Sequence, residues 1–130
     1  MASDVAPPDL RLRKAAVWRL DERSADGQAA LRDIAMTDED DGVRITAVQR
    51  IDPQTADGQT ALIDITMRDP DAHMRCVAVE RINVETTEGQ ALLMDVAEHD
   101  VNPLVRHAAV NRIDPHTIDA QAALMRKEGE

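Results

Sequence analysis

The chain has 130 residues, one Trp, no Tyr or Phe, a single Cys, 43% hydrophobic residues and a formal net charge of −10. That length bounds one domain, and a core without aromatics must be packed from Ala, Val, Leu, Ile and Met in thin, close layers. So acidic a surface repels phosphate backbones and anionic lipid, which argues against nucleic acid and membrane as partners, and one thiol excludes an internal disulfide.

Residues 1–8 read as a loose tail, because Pro7 and Pro8 cannot enter a helix interior. The opening MASDVAPP lacks the apolar core of a signal peptide, and no apolar run reaches the ~18 residues of a spanning helix. A cytoplasmic location is expected. From Asp9 onward the sequence repeats every 31 residues. The clearest copy, 40–70, reads DDGVRITAVQRIDPQTADGQTALIDITMRDP. Shifted by one period, Arg13, Arg44, Arg75 and Arg106 coincide; so do Val17, Val48, Val79 and Val110, then Gln28, Gln59, Gln90 and Gln121. The copies are 9–39, 40–70, 71–101 and 102–130 within one domain, 9–130. A fixed period of about 20–50 residues marks a solenoid.

Each copy predicts two helices. The first opens at Asp9, Asp40, Asp71 and Asn102, all side chains that accept an orphaned backbone N–H at a helix start. Pro103 follows at the first helical position, where its missing N–H costs nothing. Val43, Ala47, Val48 and Ile51 lie on one face at helical spacing, and the other copies keep this stripe. The helix is expected to end near Asp21, Asp52, Asn83 and Asp114, with Pro53 and Pro115 enforcing the stop in two copies. The second helix opens at Ser24, Thr55, Thr86 and Thr117, with an acid two residues on, where the helix dipole favours it. Its buried stripe begins at Gly27, Gly58, Gly89 and Ala120. Close approach of a neighbouring helix, admitting only Gly or Ala, is the expected reason. The helix is expected to run to about Arg68 in the second copy. A helix pair of this size buries its apolar face only by stacking on its neighbours. The predicted fold is therefore all-α: a solenoid of four helix-turn-helix repeats in two helix layers.

These residues resemble HEAT-like repeats, in the short bacterial form named after the phycobilisome lyases. The pattern is an Asp-rich link, V-R-x-x-A-V-x-x-[LI], a short turn and an A-L-x-x-[IL] helix. It is matched by Val43-Arg44-Ile45-Thr46-Ala47-Val48-Gln49-Arg50-Ile51 and by Met74-Arg75-Cys76-Val77-Ala78-Val79-Glu80-Arg81-Ile82. The resemblance covers 9 to about 127 and implies a fold, not an activity, since the repeat serves many roles. Hydroxylases built on such repeats use His-Glu dipeptides for iron; this chain has only the reversed Glu98-His99. Glycosylases built on them are basic and aromatic at the site, unlike this chain.

Three series of side chains are candidates for interaction. Arg13, Arg44, Arg75 and Arg106 fall inside the apolar stripe, where a charge must be paired. The link acids Asp38, Asp69 and Asp100 are the expected partners, giving a structural Arg–Asp ladder. Arg19, Arg50, Arg81 and Arg112 flank the stripe, with stems expected along apolar surface and heads in water. Met36, Met67, Met94 and Met125 fall on the outer face of the second helices with Ile63, beside Asp33, Asp64 and Asp95. Two readings stay open for them: an apolar row rimmed by carboxylates that suits a partner's apolar or basic segment, and cover for the seams between repeats. Trp18 stands on the outward side of the first helix, either a contact or a lid on residues 1–8. Cys76 and the four His form no metal-ligating pair at helical spacing and read as bystanders.

No catalytic constellation is present, so the chain is not expected to be an enzyme, and no cofactor is implied. The expected function is a protein-interaction module or scaffold that binds a protein or peptide along the second-helix, concave face. The alternative is an accessory or regulatory subunit of an enzyme, such as a lyase-type chaperone component. Self-association through the end repeats is also open.

Overall fold

The computed structural model describes residues 9–113. Residues 1–8, read above as a tail, and 114–130, with Thr117, Ala120, Gln121, Met125 and the last predicted helix, lie outside the described residues. Seven helices and no strand occur among the described residues: α1 (Leu10–Arg19), α2 (Ala25–Thr37), α3 (Asp41–Val48), α4 (Ala56–Arg68), α5 (Ala72–Arg81), α6 (Thr87–His99) and α7 (Pro103–Val110). The fold is all-α.

Every helix starts at a side-chain cap. The carboxylates and the amide of Asp9, Asp40, Asp71 and Asn102 accept from the first-turn N–H groups of α1, α3, α5 and α7. Ser24, Thr55 and Thr86 accept from Gly27, Gly58 and Gly89 N–H and open α2, α4 and α6. Such a cap is worth about 1 kcal/mol. The first helices stop earlier than the sequence predicts. α1 ends at Arg19 and α5 at Arg81, each followed by an extended residue, Leu20 and Ile82. α3 closes with tighter bonds, Arg50 N to Ala47 O and Ile51 N to Val48 O. Asp21, Asp52 and Asn83 are turn formers instead, each side chain accepting from the N–H two residues on.

The helices pack as two rows. α1, α3, α5 and α7 touch in succession, as do α2, α4 and α6, and the rows meet through α2 on α3, α4 on α5 and α6 on α7. The core runs between the rows as one aliphatic cluster, with Leu31, Val43, Val48, Ile51, Leu62, Met74, Ile82 and Leu93 fully buried. The glycines of the second helices are explained by a contact different from the one expected. A Cβ at Gly27, Gly58 or Gly89 would collide with the carbonyl of Asp21, Asp52 or Asn83 in the preceding turn of the same copy. The close neighbour is the chain's own turn, not another helix. In these copies Ala does not fit without a shift.

Candidate binding face and the polar joints behind it

The outer surface of α2, α4 and α6 carries the methionine series. Met36 and Met67 are 43% and 60% exposed. Ile63 and Met94 are half-buried and packed against the core. Asp33 and Asp95 are exposed and Asp64 is half-buried. Met36 and Met67 are thus open to solvent, while Ile63 and Met94 pack against the core. An open cavity of about 550 Å³ between α2 and α4 is lined by Arg32, Asp33, Met36, Thr60 and Asp64, among others. A smaller one of about 160 Å³ between α4 and α6 is lined by Met67, Asp95, His99 and Asp100. Asp64 and Asp95 are each answered from their own helix, by Arg68 Nε at 3.2 Å and His99 Nδ1 at 3.1 Å. At such exposure these pairs stabilise by at most about 0.5 kcal/mol, so a partner's cations can displace them cheaply.

Behind that face lie three sets of polar bonds: arginine–aspartate pairs within a copy, and arginine and glutamine bonds to backbone groups that reach the neighbouring copy. Arg13 Nε lies 3.5 Å from Asp38, Arg44 Nη1 donates to Asp69 at 2.7 Å, and Arg75 donates to both Asp100 oxygens at 3.0 and 3.1 Å. Arg106 donates instead to the Asp100 carbonyl at 2.7 Å. Each link aspartate also accepts from the backbone N–H two residues on, at Asp40, Asp71 and Asn102. One carboxylate therefore holds the arginine of its own copy and the first residue of the next. Burial alone would push the Asp100 carboxyl up, but the bonds from Arg75 and the Asn102 N–H, with the charges of Arg75 and Arg106, hold it below its ordinary value. The bonds to Asp100 likewise raise Arg75 against the opposing effect of burial.

In the second arginine series Arg19 is exposed, but Arg50, Arg81 and Arg112 turn their heads to backbone carbonyls rather than to water. Arg50 is buried and donates to the Val17 and Leu20 carbonyls, the latter at 2.8 Å. Arg81 donates to Ile51 O at 2.6 Å, and Arg112 to Val79 O and Ile82 O at 2.7 Å each. These carbonyls belong to the end of the preceding first helix and the turn after it, where intrahelical donors run out, although Val17 O also accepts from the Leu20 N–H at 3.2 Å. A cation is also favoured at that end by the helix dipole. Trp18, 60% exposed, lies 5.2 Å from the Arg50 guanidinium, ring centroid to carbon. The glutamines form a third set. Gln28 donates to Glu22 O and Arg50 O at 2.8 and 3.0 Å and accepts from Asp52 N–H at 2.8 Å. Gln59 donates to Asn83 O at 3.2 Å and accepts from Asn83 N–H at 3.0 Å. The sequence signal for both sets was present: an identical polar residue in every copy, on or beside an apolar stripe.

A cavity of about 650 Å³ opens at the turns that these groups tie together, between Ser24, Gln28, Arg32, Arg50, Asp52 and Arg81. Its walls alternate in charge, and Arg32 and Arg50 face carboxylates of Asp57 and Glu22 at 4.0 and 3.8 Å. Cys76 is half-buried beside α7, not on an open surface, and burial, then the nearby Glu80 and Asp100 charges, push its thiol up. A thiol held protonated is a weak nucleophile. No group of three His, Cys, Asp or Glu is placed to hold a metal ion among the described residues, and no helix there is long and apolar enough to cross a membrane. No family model, curated protein or solved structure matches this chain.

Proposed function

We propose that this chain is a non-catalytic interaction module, a short HEAT-like solenoid that binds a basic, amphipathic protein segment along the α2–α4–α6 face. The 31-residue period and the two rows of helices in sequence order support the solenoid reading. The observation that carries the binding reading is the exposure of Met36 and Met67 on adjacent helices, set among Asp33, Asp64 and Asp95. Methionine adapts to varied apolar side chains, and the carboxylates select positive charge around them.

The test is a titration of a labelled Lys/Leu amphipathic helical peptide followed by fluorescence anisotropy. A Met36→Lys, Met67→Lys variant is expected to bind at least about tenfold more weakly than wild type, the equivalent of ~1.4 kcal/mol. A control with the same added charge on the first-helix surface, Gln49→Lys with Asn111→Lys, is expected to lose only the small electrostatic share. Equal losses in the two variants would reduce the effect to net charge and remove the face from consideration.

A further inference from the structure

We propose that the two ends of the helix rows fit each other, so that a second copy of this chain adds head to tail in the register of the internal joints. This surface is separate from the α2–α4–α6 face and does not depend on it. Each internal joint has a donor half and an acceptor half. The donor half is the arginine flank of a first helix, and the acceptor half is the carbonyl end of the first helix before it. Arg50 meets Val17 O and Leu20 O, Arg81 meets Ile51 O, and Arg112 meets Val79 O and Ile82 O.

One period before Arg50 stands Arg19, which is exposed and has no hydrogen-bond or ion-pair partner among the described residues. One period after Val79 and Ile82 stand Val110 and Ile113, whose carbonyls no guanidinium reaches among the described residues. The apolar contacts are left open in the same way. Leu12 is 66% exposed, whereas Val43, Met74 and Val105 at its register are fully buried. Ala16 is exposed where Ala47, Ala78 and Ala109 are fully buried. At the other end Val110 is 46% exposed, while Val17, Val48 and Val79 are at most 1% exposed. The α1 flank thus holds an unused donor half and the α7 flank an unused acceptor half of a joint already made three times between them. A second copy supplies both halves at once, side chain for side chain.

The contact is heterologous, so it does not close on itself after two subunits and propagates as an open row. The net charge of −10 opposes it at long range, so added salt strengthens it. The competing occupants are residues 1–8 or 114–130 of the same chain folded over the flanks.

Sedimentation equilibrium of the full chain, from micromolar to near-millimolar concentration, tests this with two variants. Leu12→Glu blocks the α1 flank and Val110→Glu the α7 flank. Both side chains are exposed, and circular dichroism checks that each variant keeps its helices. Wild type is expected to gain average mass with concentration and to pass the dimer. Each variant alone is expected to stay monomeric. An equimolar mixture of the two is expected to form a dimer and stop there, because each contributes the half that the other has lost. Arg19→Ala is expected to weaken wild-type association without abolishing it. A wild type that stays monomeric throughout overturns the proposal in favour of coverage by the chain's own ends. Variants that associate like wild type, or a mixture that stays monomeric, also overturn it.

Discussion

The polar ties behind the face differ in how visible they are in the sequence. Asp69 and Asp100 have side chains of their own, so an arginine on an apolar stripe can be matched to them one charge to another. Arg50, Arg81, Arg112, Gln28 and Gln59 instead answer backbone carbonyls and N–H groups 22 to 33 residues away. A backbone atom has no identity in a sequence, so their environment could not be read beyond a conserved register. The same holds for the glycines. Their place on a buried stripe was legible, but the carbonyl that excludes a Cβ lies in a turn whose path depends on the caps around it. Gly58→Ala is therefore expected to destabilise by about 2 kcal/mol, as overpacking does, despite the better helix propensity of alanine. Gly42→Ala meets only the ends of the Lys14 and Asp40 side chains, and its cost is expected to stay below about 1 kcal/mol. Urea denaturation of the two variants distinguishes the cases; equal midpoints would refute the turn-carbonyl account.

At the scale of the element, the helix starts were the most legible part of the chain, since a cap is a signal within three residues. The ends were less so, because α1 and α5 stop where the chain turns extended to set an aspartate or asparagine turn. The links put an aspartate at the C-terminus of α2, α4 and α6, where the dipole disfavours negative charge. The arginine of the same copy and the backbone N–H two residues on reverse that balance. For Asp100 the folded carboxyl lies below its unfolded value of about 3.9. A depressed carboxyl contributes stability above the unfolded value and loses it as pH falls through the folded one. Asp100→Asn, which leaves Arg75 buried without its charge partner, is expected to cost about 3 kcal/mol near pH 7. That penalty is expected to hold down to about pH 5 and then to shrink, because the wild-type carboxyl also loses its charge. Thermal melts of both proteins across acid pH give the difference directly. A penalty unchanged down to pH 2 would mean that the ion pair contributes nothing and that only shape is lost.

For the molecule as a whole, the excess of acid over base sets the response to salt. Exposed like charges repel over about 30 Å at 0.01 M salt and about 3 Å at 1 M. The link pairs are screened less, since the side chains of Asp38, Asp69 and Asp100 are only 15%, 6% and 9% exposed. Melting temperature of the Leu12→Glu variant, chosen to exclude association, is expected to rise by about 4 °C over that range, the equivalent of ~1 kcal/mol. A fall would show that the buried pairs, not surface repulsion, dominate the response. The polar joints have one further property. No side-chain hydrogen bond among the described residues reaches beyond 33 residues, so none skips a copy. Among the described residues, each copy's side-chain hydrogen bonds reach only itself and its immediate neighbours. A gene encoding such a chain can gain or lose a whole 31-residue unit by unequal recombination, and every remaining joint still finds its complement. Length is then the property that mutation changes most easily, while the insertion of a single residue would put every later donor out of step with its carbonyl.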